Sequence, residues 1–159
     1  MNPNRIILIR HGESQGNVDK NIYSQVPDYA LELTESGNAQ AFEAGKLLKD
    51  SLKDETMYFY ISPLWRTRST FEQLTKSLAK TKLRFIEEPR IREQEWGHLR
   101  NLGESKIVEK VRDAYGTFYY RIPDGESAAD VFDRVSDFFG TLNRDFRKEN
   151  FPQNAVIPM

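Results

Sequence analysis

Three short clusters in this chain hold residue types that could move a phosphoryl group. The first is Arg10-His11-Gly12, followed by Ser14, Gly16 and Asn17. An arginine presents a fixed fork of donors that suits a phosphate. A histidine can attack phosphorus if one ring nitrogen is free and the other donates to a backbone carbonyl. Gly12 allows a sharp turn and a close approach. Ser14, Gly12 and Asn17 add small groups able to donate to phosphate oxygens. A lone histidine at such a place is more often structural, so the reading needs company.

The second cluster supplies it. Ser62-Pro63-Leu64-Trp65-Arg66-Thr67 places Arg66 where a helix begins, and a helix N-terminus beside a guanidinium favours anions. The third is Arg90-Ile91-Arg92-Glu93-Gln94-Glu95-Trp96-Gly97-His98. A carboxylic acid here could protonate a leaving oxygen. By residue type, Glu93 and Glu95 are both candidates. Taken alone, each of these two clusters would pass for ordinary charged surface.

Each cluster must be delivered by an element. Residues 6–9 form an unbroken apolar run ending at Arg10, which reads as a strand of a parallel sheet, buried on both faces. Residues 57–61 are similar and end at Ser62. Weaker runs at 83–86 and 155–157 complete the set. In open α/β sheets, ligands bind beyond the carboxyl ends of the strands, which is where all three clusters fall.

Helical spacing lies between the strands. Thr34 is an N-cap for a helix through Ala41, Gly45, Leu48 and Leu52. Residues 66–78 form a second helix and 104–114 a third. Ser127 with Asp130 resembles a capping box opening a helix with the apolar stripe Val131, Val135, Phe138, Leu142 and Phe146. The spacing therefore predicts one α/β domain over residues 1–159, a three-layer sandwich around a mostly parallel sheet. Residues 18–32 and 115–125 lack periodicity and read as long loops of the kind that often carry function.

Composition limits the alternatives. Basic residues number 23 and acidic residues 24, so no global field draws the chain to nucleic acid or a membrane. Any anion site must be a local cluster of cations. With no cysteine, a thiolate metal site, a disulfide and a cysteine nucleophile are excluded. The short apolar run near the N-terminus does not resemble a signal peptide, and no stretch has transmembrane length. The expected location is cytoplasmic.

Read together, the clusters resemble the histidine phosphatase superfamily, also called phosphoglycerate mutase-like. Arg10-His11-Gly12-Glu13-Ser14 with Asn17 matches its hallmark. Leu33-Thr34-Glu35-Ser36-Gly37 with Gln40-Ala41 resembles its first helix start. Ser62 to Thr67 matches its second arginine motif. Arg92-Glu93 with Trp96-Gly97 matches its proton-donor motif and selects Glu93 over Glu95. Gly125-Glu126-Ser127 resembles the opening of a late helix.

The resemblance implies a phosphomonoesterase working through a phosphohistidine on His11, with no metal or cofactor. Arg10, Arg66 and Asn17 would hold the phosphoryl oxygens, and Glu93 would serve as acid and then base. The expected partner is a small phosphorylated substrate, with self-association left open. The family's second histidine follows a later strand, which should begin here at Ala155. The chain instead reads Pro158-Met159, and His98 does not match that role. The expectation is a domain truncated at its C-terminal side, with a short or missing central strand, reduced stability and impaired turnover. Two other readings stand beside it. One is a cofactor-dependent phosphoglycerate mutase, which Gln94-Glu95-Trp96-Gly97-His98-Leu99-Arg100 disfavours. The other is a phospho-ligand-binding protein without turnover.

Overall fold

The computed structural model describes residues 3–79, 82–97 and 102–159. Its centre is a sheet of four parallel strands: β1 (Arg5–Ile9), β2 (Met57–Ile61), β3 (Leu83–Glu87) and β4 (Asn154–Pro158). Their spatial order is β1-β4-β2-β3. Parallel neighbours need crossover connections, and the helices α2 (Glu35–Leu52), α3 (Trp65–Thr75), α4 (Leu102–Tyr115) and α5 (Ala128–Phe146) lie along them. A short helix α1 (Gln15–Val18) follows β1.

The two faces of the sheet carry separate cores. On one, Leu48 and Leu52 of α2 meet Met57, Phe59, Ile61 and Val156, with Phe71 of α3 alongside. On the other, Phe138 and Leu142 of α5 meet Tyr60, Ala155 and Ile157. The alternation follows from the two-residue repeat of a strand. The predicted caps are both present: Thr34 accepts from Gly37 N–H, and Ser127 and Asp130 exchange a capping box.

Three expectations change. The central strand is present. β4 pairs β1 over five residues and β2 over three, and every one of its residues is buried. β1, by contrast, is buried on one face only. Ile7 and Ile9 pack into the first core, while Ile6 and Leu8 are 52% and 62% exposed. The reason is position: α5 packs on β2 and β4, and β1 lies one strand further out, where only its Ile6 end shares a surface hollow with Asn143 and Phe146 of α5. Residues 18–32, read as irregular, contain two 3-10 turns, Lys20–Ser24 and Asp28–Ala30, the first capped by Asp19. No helix among the described residues is long and apolar enough to cross a membrane.

Candidate active site

The carboxyl end of β1 delivers His11 and fixes it by main chain. The β1–β4 ladder runs past the strand ends, with Met159 N–H donating to Ile9 O at 2.8 Å and His11 N–H to Met159 O at 2.6 Å. The ring is fixed separately. Its Nδ1 lies 2.7 Å from Gly12 O, so Nδ1 carries the proton and Nε2 is left as the free base. Burial lowers the His11 pKa, and the charges of Arg66 and Arg10 lower it further, against the Gly12 carbonyl and Glu93. The neutral, nucleophilic form therefore dominates at neutral pH.

Gly12 holds a crossing of two backbones. A side chain on it would meet Gly37 O at 2.3 Å, and one on Gly37 would meet Glu13 O at 2.0 Å. The close approach expected at Gly12 is thus to the start of α2. Its N–H is committed as well, donating to Thr70 Oγ1 at 3.1 Å, while the Thr70 hydroxyl donates to Arg66 O at 2.8 Å. Thr70 ties the β1 turn to α3.

Ser14 also has a different job from the one expected. It is buried, and its N–H and hydroxyl both donate to Asn17 Oδ1, at 2.9 and 3.0 Å. Its proton is spent on orienting Asn17, whose amide N–H groups are left to face the cavity. Asn17 and Arg10 are exposed and line that cavity, and the Arg10 guanidinium makes no hydrogen bond among the described residues.

Arg66 is buried, and Asp28 grips it. Nη1 donates to Asp28 O at 2.9 Å and to Oδ1 at 3.0 Å, and Nη2 donates to Oδ2 at 3.2 Å. A guanidinium has five N–H donors, so this end-on grip leaves Nε–H and one Nη2–H for a ligand. Asp28 belongs to the loop of residues 18–32, and nothing in its local sequence marks it. Tyr23 of the same loop stands half-buried against Gly16, its phenol raised in pKa by burial and by Asp28.

These groups share one cavity of about 980 Å³, lined by Arg10, His11, Asn17 and Arg66 on the sheet side. Glu93 lines it too, as do Glu95 and Trp96. The Glu93 loop is held from behind by Arg134 of α5 and by Glu126, two residues before that helix. His98 lies outside the described residues. The structure thus gathers His11, Arg10, Arg66, Asn17 and Glu93 at one place, with Ser14 also on the lining and Gly12 behind it.

This fold and sequence are shared with known proteins. The profile of the histidine phosphatase superfamily (branch 1) matches residues 6–157, and the chain belongs to that family. It is 43% identical over 155 residues to phosphoglycerate mutase-like protein AT74H of Arabidopsis thaliana, covering 91% of this chain and 55% of the relative. It is 28% identical over 247 residues to the broad-range acid phosphatase DET1 of Saccharomyces cerevisiae, covering 98% of this chain and 74% of that one. Among solved structures, the alpha-ribazole phosphatase of Shigella flexneri superposes with a TM-score of 0.70 at 25% identity, covering 96% of this chain and 72% of the other. The chain spans about half the length of the plant relatives it matches.

Proposed function

We propose that this domain hydrolyses phosphomonoesters of small metabolites through a phosphohistidine on His11. The observation that carries the reading is the free Nε2 of His11, fixed by Gly12 and facing a cavity whose sheet side holds two guanidiniums and an amide.

In the first step the Nε2 lone pair attacks phosphorus and the ester P–O bond breaks. The carboxyl proton of Glu93 passes to the leaving oxygen. Arg10, Arg66 and Asn17 balance charge on the three phosphoryl oxygens, and such electrostatic positioning supplies most of the catalysis in phosphoryl transfer. In the second step Glu93 takes a proton from water as the water oxygen attacks phosphorus; the P–N bond breaks and Nε2 recovers its lone pair. Inorganic phosphate leaves, and no net charge is stranded.

The test is release of inorganic phosphate from aryl and alkyl phosphates, together with trapping of an acid-labile, alkali-stable phosphoprotein. His11→Asn should abolish both. Full turnover in that variant would reject the nucleophile. Phosphate binding without turnover in the parent would favour a ligand-binding role, and turnover requiring a bisphosphorylated cofactor would favour a mutase.

A further inference from the structure

We infer that Arg134, clamped by Glu126, is a positioning residue that sets the direction of Glu93. The inference rests on the acid role of Glu93 proposed above. Glu93 sits in a stretch, residues 92–97, with no helix or strand to fix it. Among the described residues its own side chain accepts only from the next one, Gln94 N–H, at 2.9 Å. An unsupported loop of this kind would not hold an acid against a leaving oxygen, and misplacement by about 1 Å can cost roughly 100-fold in rate.

One guanidinium supplies the support. Arg134 Nη1 donates to Arg90 O at 2.6 Å and to Arg92 O at 2.8 Å. Its Nη2 donates to Glu93 O at 3.1 Å. The remaining donors go to the Glu126 carboxylate, Nε to Oε1 at 3.0 Å and Nη2 to Oε2 at 2.9 Å. All five N–H groups are used, which a lysine could not reproduce.

Glu126 closes the clasp from its other side. Its Oε2 accepts from Glu95 N–H at 3.1 Å, and its Oε1 accepts from Arg92 Nη2. Its backbone N–H donates to Glu95 O at 2.9 Å, and its carbonyl accepts from Gln94 Nε2 at 2.9 Å. Burial alone would raise the Glu126 pKa. The Arg134 and Glu95 hydrogen bonds and the two arginine charges outweigh it, and the carboxylate stays ionised. The Ser127–Asp130 capping box directly follows Glu126, so the clasp stands on a fixed helix start.

Neither Arg134 nor Glu126 lines the cavity, and their side chains are only 11% and 12% exposed. They reach the reaction through the main chain of residues 90–95 and not through contact with phosphate.

Leaving-group chemistry separates positioning from plain stabilisation. A p-nitrophenolate leaves as the anion and needs little proton donation, whereas an alkoxide needs much. The kcat/KM value covers the steps through transfer to His11. The ratio of alkyl to aryl kcat/KM, measured on one preparation, is independent of how much of the protein is folded. Glycerol phosphate and p-nitrophenyl phosphate are suitable probes. Glu93→Gln should lower the ratio by about 100-fold or more, the usual worth of a general acid. Arg134→Lys should lower it by about 10-fold, and Glu126→Gln should shift it the same way. Equal losses on both esters in Arg134→Lys and Glu126→Gln, with Glu93→Gln still selective, would leave the clasp a merely structural device and overturn the inference. An unchanged ratio in Glu93→Gln, or no turnover by the parent, would instead remove the proposed acid or the proposed activity, and the inference with it.

Discussion

Thr67 and Thr70 sit one turn apart on α3, and the same isosteric change should move them in opposite directions. Each is 1% exposed. Thr70 Oγ1 accepts from Gly12 N–H and donates to Arg66 O, so Thr70→Val strands a buried N–H beside His11. A stranded buried donor costs roughly 1–3 kcal/mol. Burying a methyl in place of the hydroxyl returns roughly 0.8 kcal/mol, leaving a net loss of up to about 2 kcal/mol. Thr67 Oγ1 has no hydrogen-bond partner among the described residues. Removing an unpaired buried hydroxyl should recover about 1 kcal/mol. The two variants should therefore differ by about 1–3 kcal/mol, or roughly 2–12 °C in melting temperature for a chain of this size. Thermal unfolding followed by circular dichroism at pH 7 reads the gap directly. Phosphatase kinetics on the same samples should show Thr70→Val losing about 10-fold in kcat/KM, through the Gly12 peptide that holds the His11 ring. If Thr67→Val melts at or below Thr70→Val, the hydrogen-bond accounting around Gly12 is wrong.

Asp28→Asn should weaken the grip on Arg66 by about 1.5 kcal/mol, the worth of a charge-assisted hydrogen bond, and raise KM for phosphate esters by roughly 10-fold; an unchanged KM and phosphate inhibition constant would show that Arg66 needs no such anchor. Because His11 has its pKa lowered by burial and by Arg66 and Arg10, kcat/KM should hold steady to below the ordinary histidine value of 6.5 before it falls. The same shift means that stability contributed by neutral His11 is fully present above 6.5. It is lost as pH drops toward the folded pKa, and His11→Gln should flatten that part of a urea-midpoint profile taken between pH 7 and 5. Tyr60 donates to Asp145 at 2.6 Å, and burial with that bond holds its phenol well above the usual range. Tyr60→Phe should cost about 1.5–2 kcal/mol by urea denaturation, with no change in kcat/KM.

Much of the scaffold could be read from local pattern. The apolar runs at 6–9, 57–61, 83–86 and 155–157 all became strands, and Thr34 and Ser127 became caps, because these signals act over a few residues. The one-sided burial of β1 was not legible. Ile6-Ile7-Leu8-Ile9 has the same local pattern whether its strand is central or at an edge, and strand order is set by pairings across the whole chain. The candidate site divided in the same way. His11, Arg10, Arg66 and Asn17 lie just past a strand or in the first turn of a helix, where type and position point to chemistry, and Glu93 stands out only as a carboxylate in the loop after β3. Ser14 and Gly12 lie in the same motif, but their donors turn inward to Asn17 and Thr70, which only tertiary structure decides.

Asp28 gave no local sign. Arg134 did give one: it falls three residues after Val131 and four before Phe138, on the flank of the apolar stripe of α5. A lone arginine there must find buried acceptors, and the open carbonyls of residues 90–93 are what it finds.

The hydrogen bond from His11 N–H to Met159 O has a consequence for the order in which the site is assembled. The grip of Asp28 on Arg66 spans 38 residues, and the clasp of Glu126 on Arg134 spans 8. The seat of His11 joins residue 11 to residue 159, through β1 paired to β4. Contacts so distant along the chain form slowly, because a large loop must close before they gain anything. During refolding, the arginine anchor and the acid loop should be in place while His11 is still loose. Rapid phosphoryl labelling of His11 would then serve as a clock for the closing of the sheet.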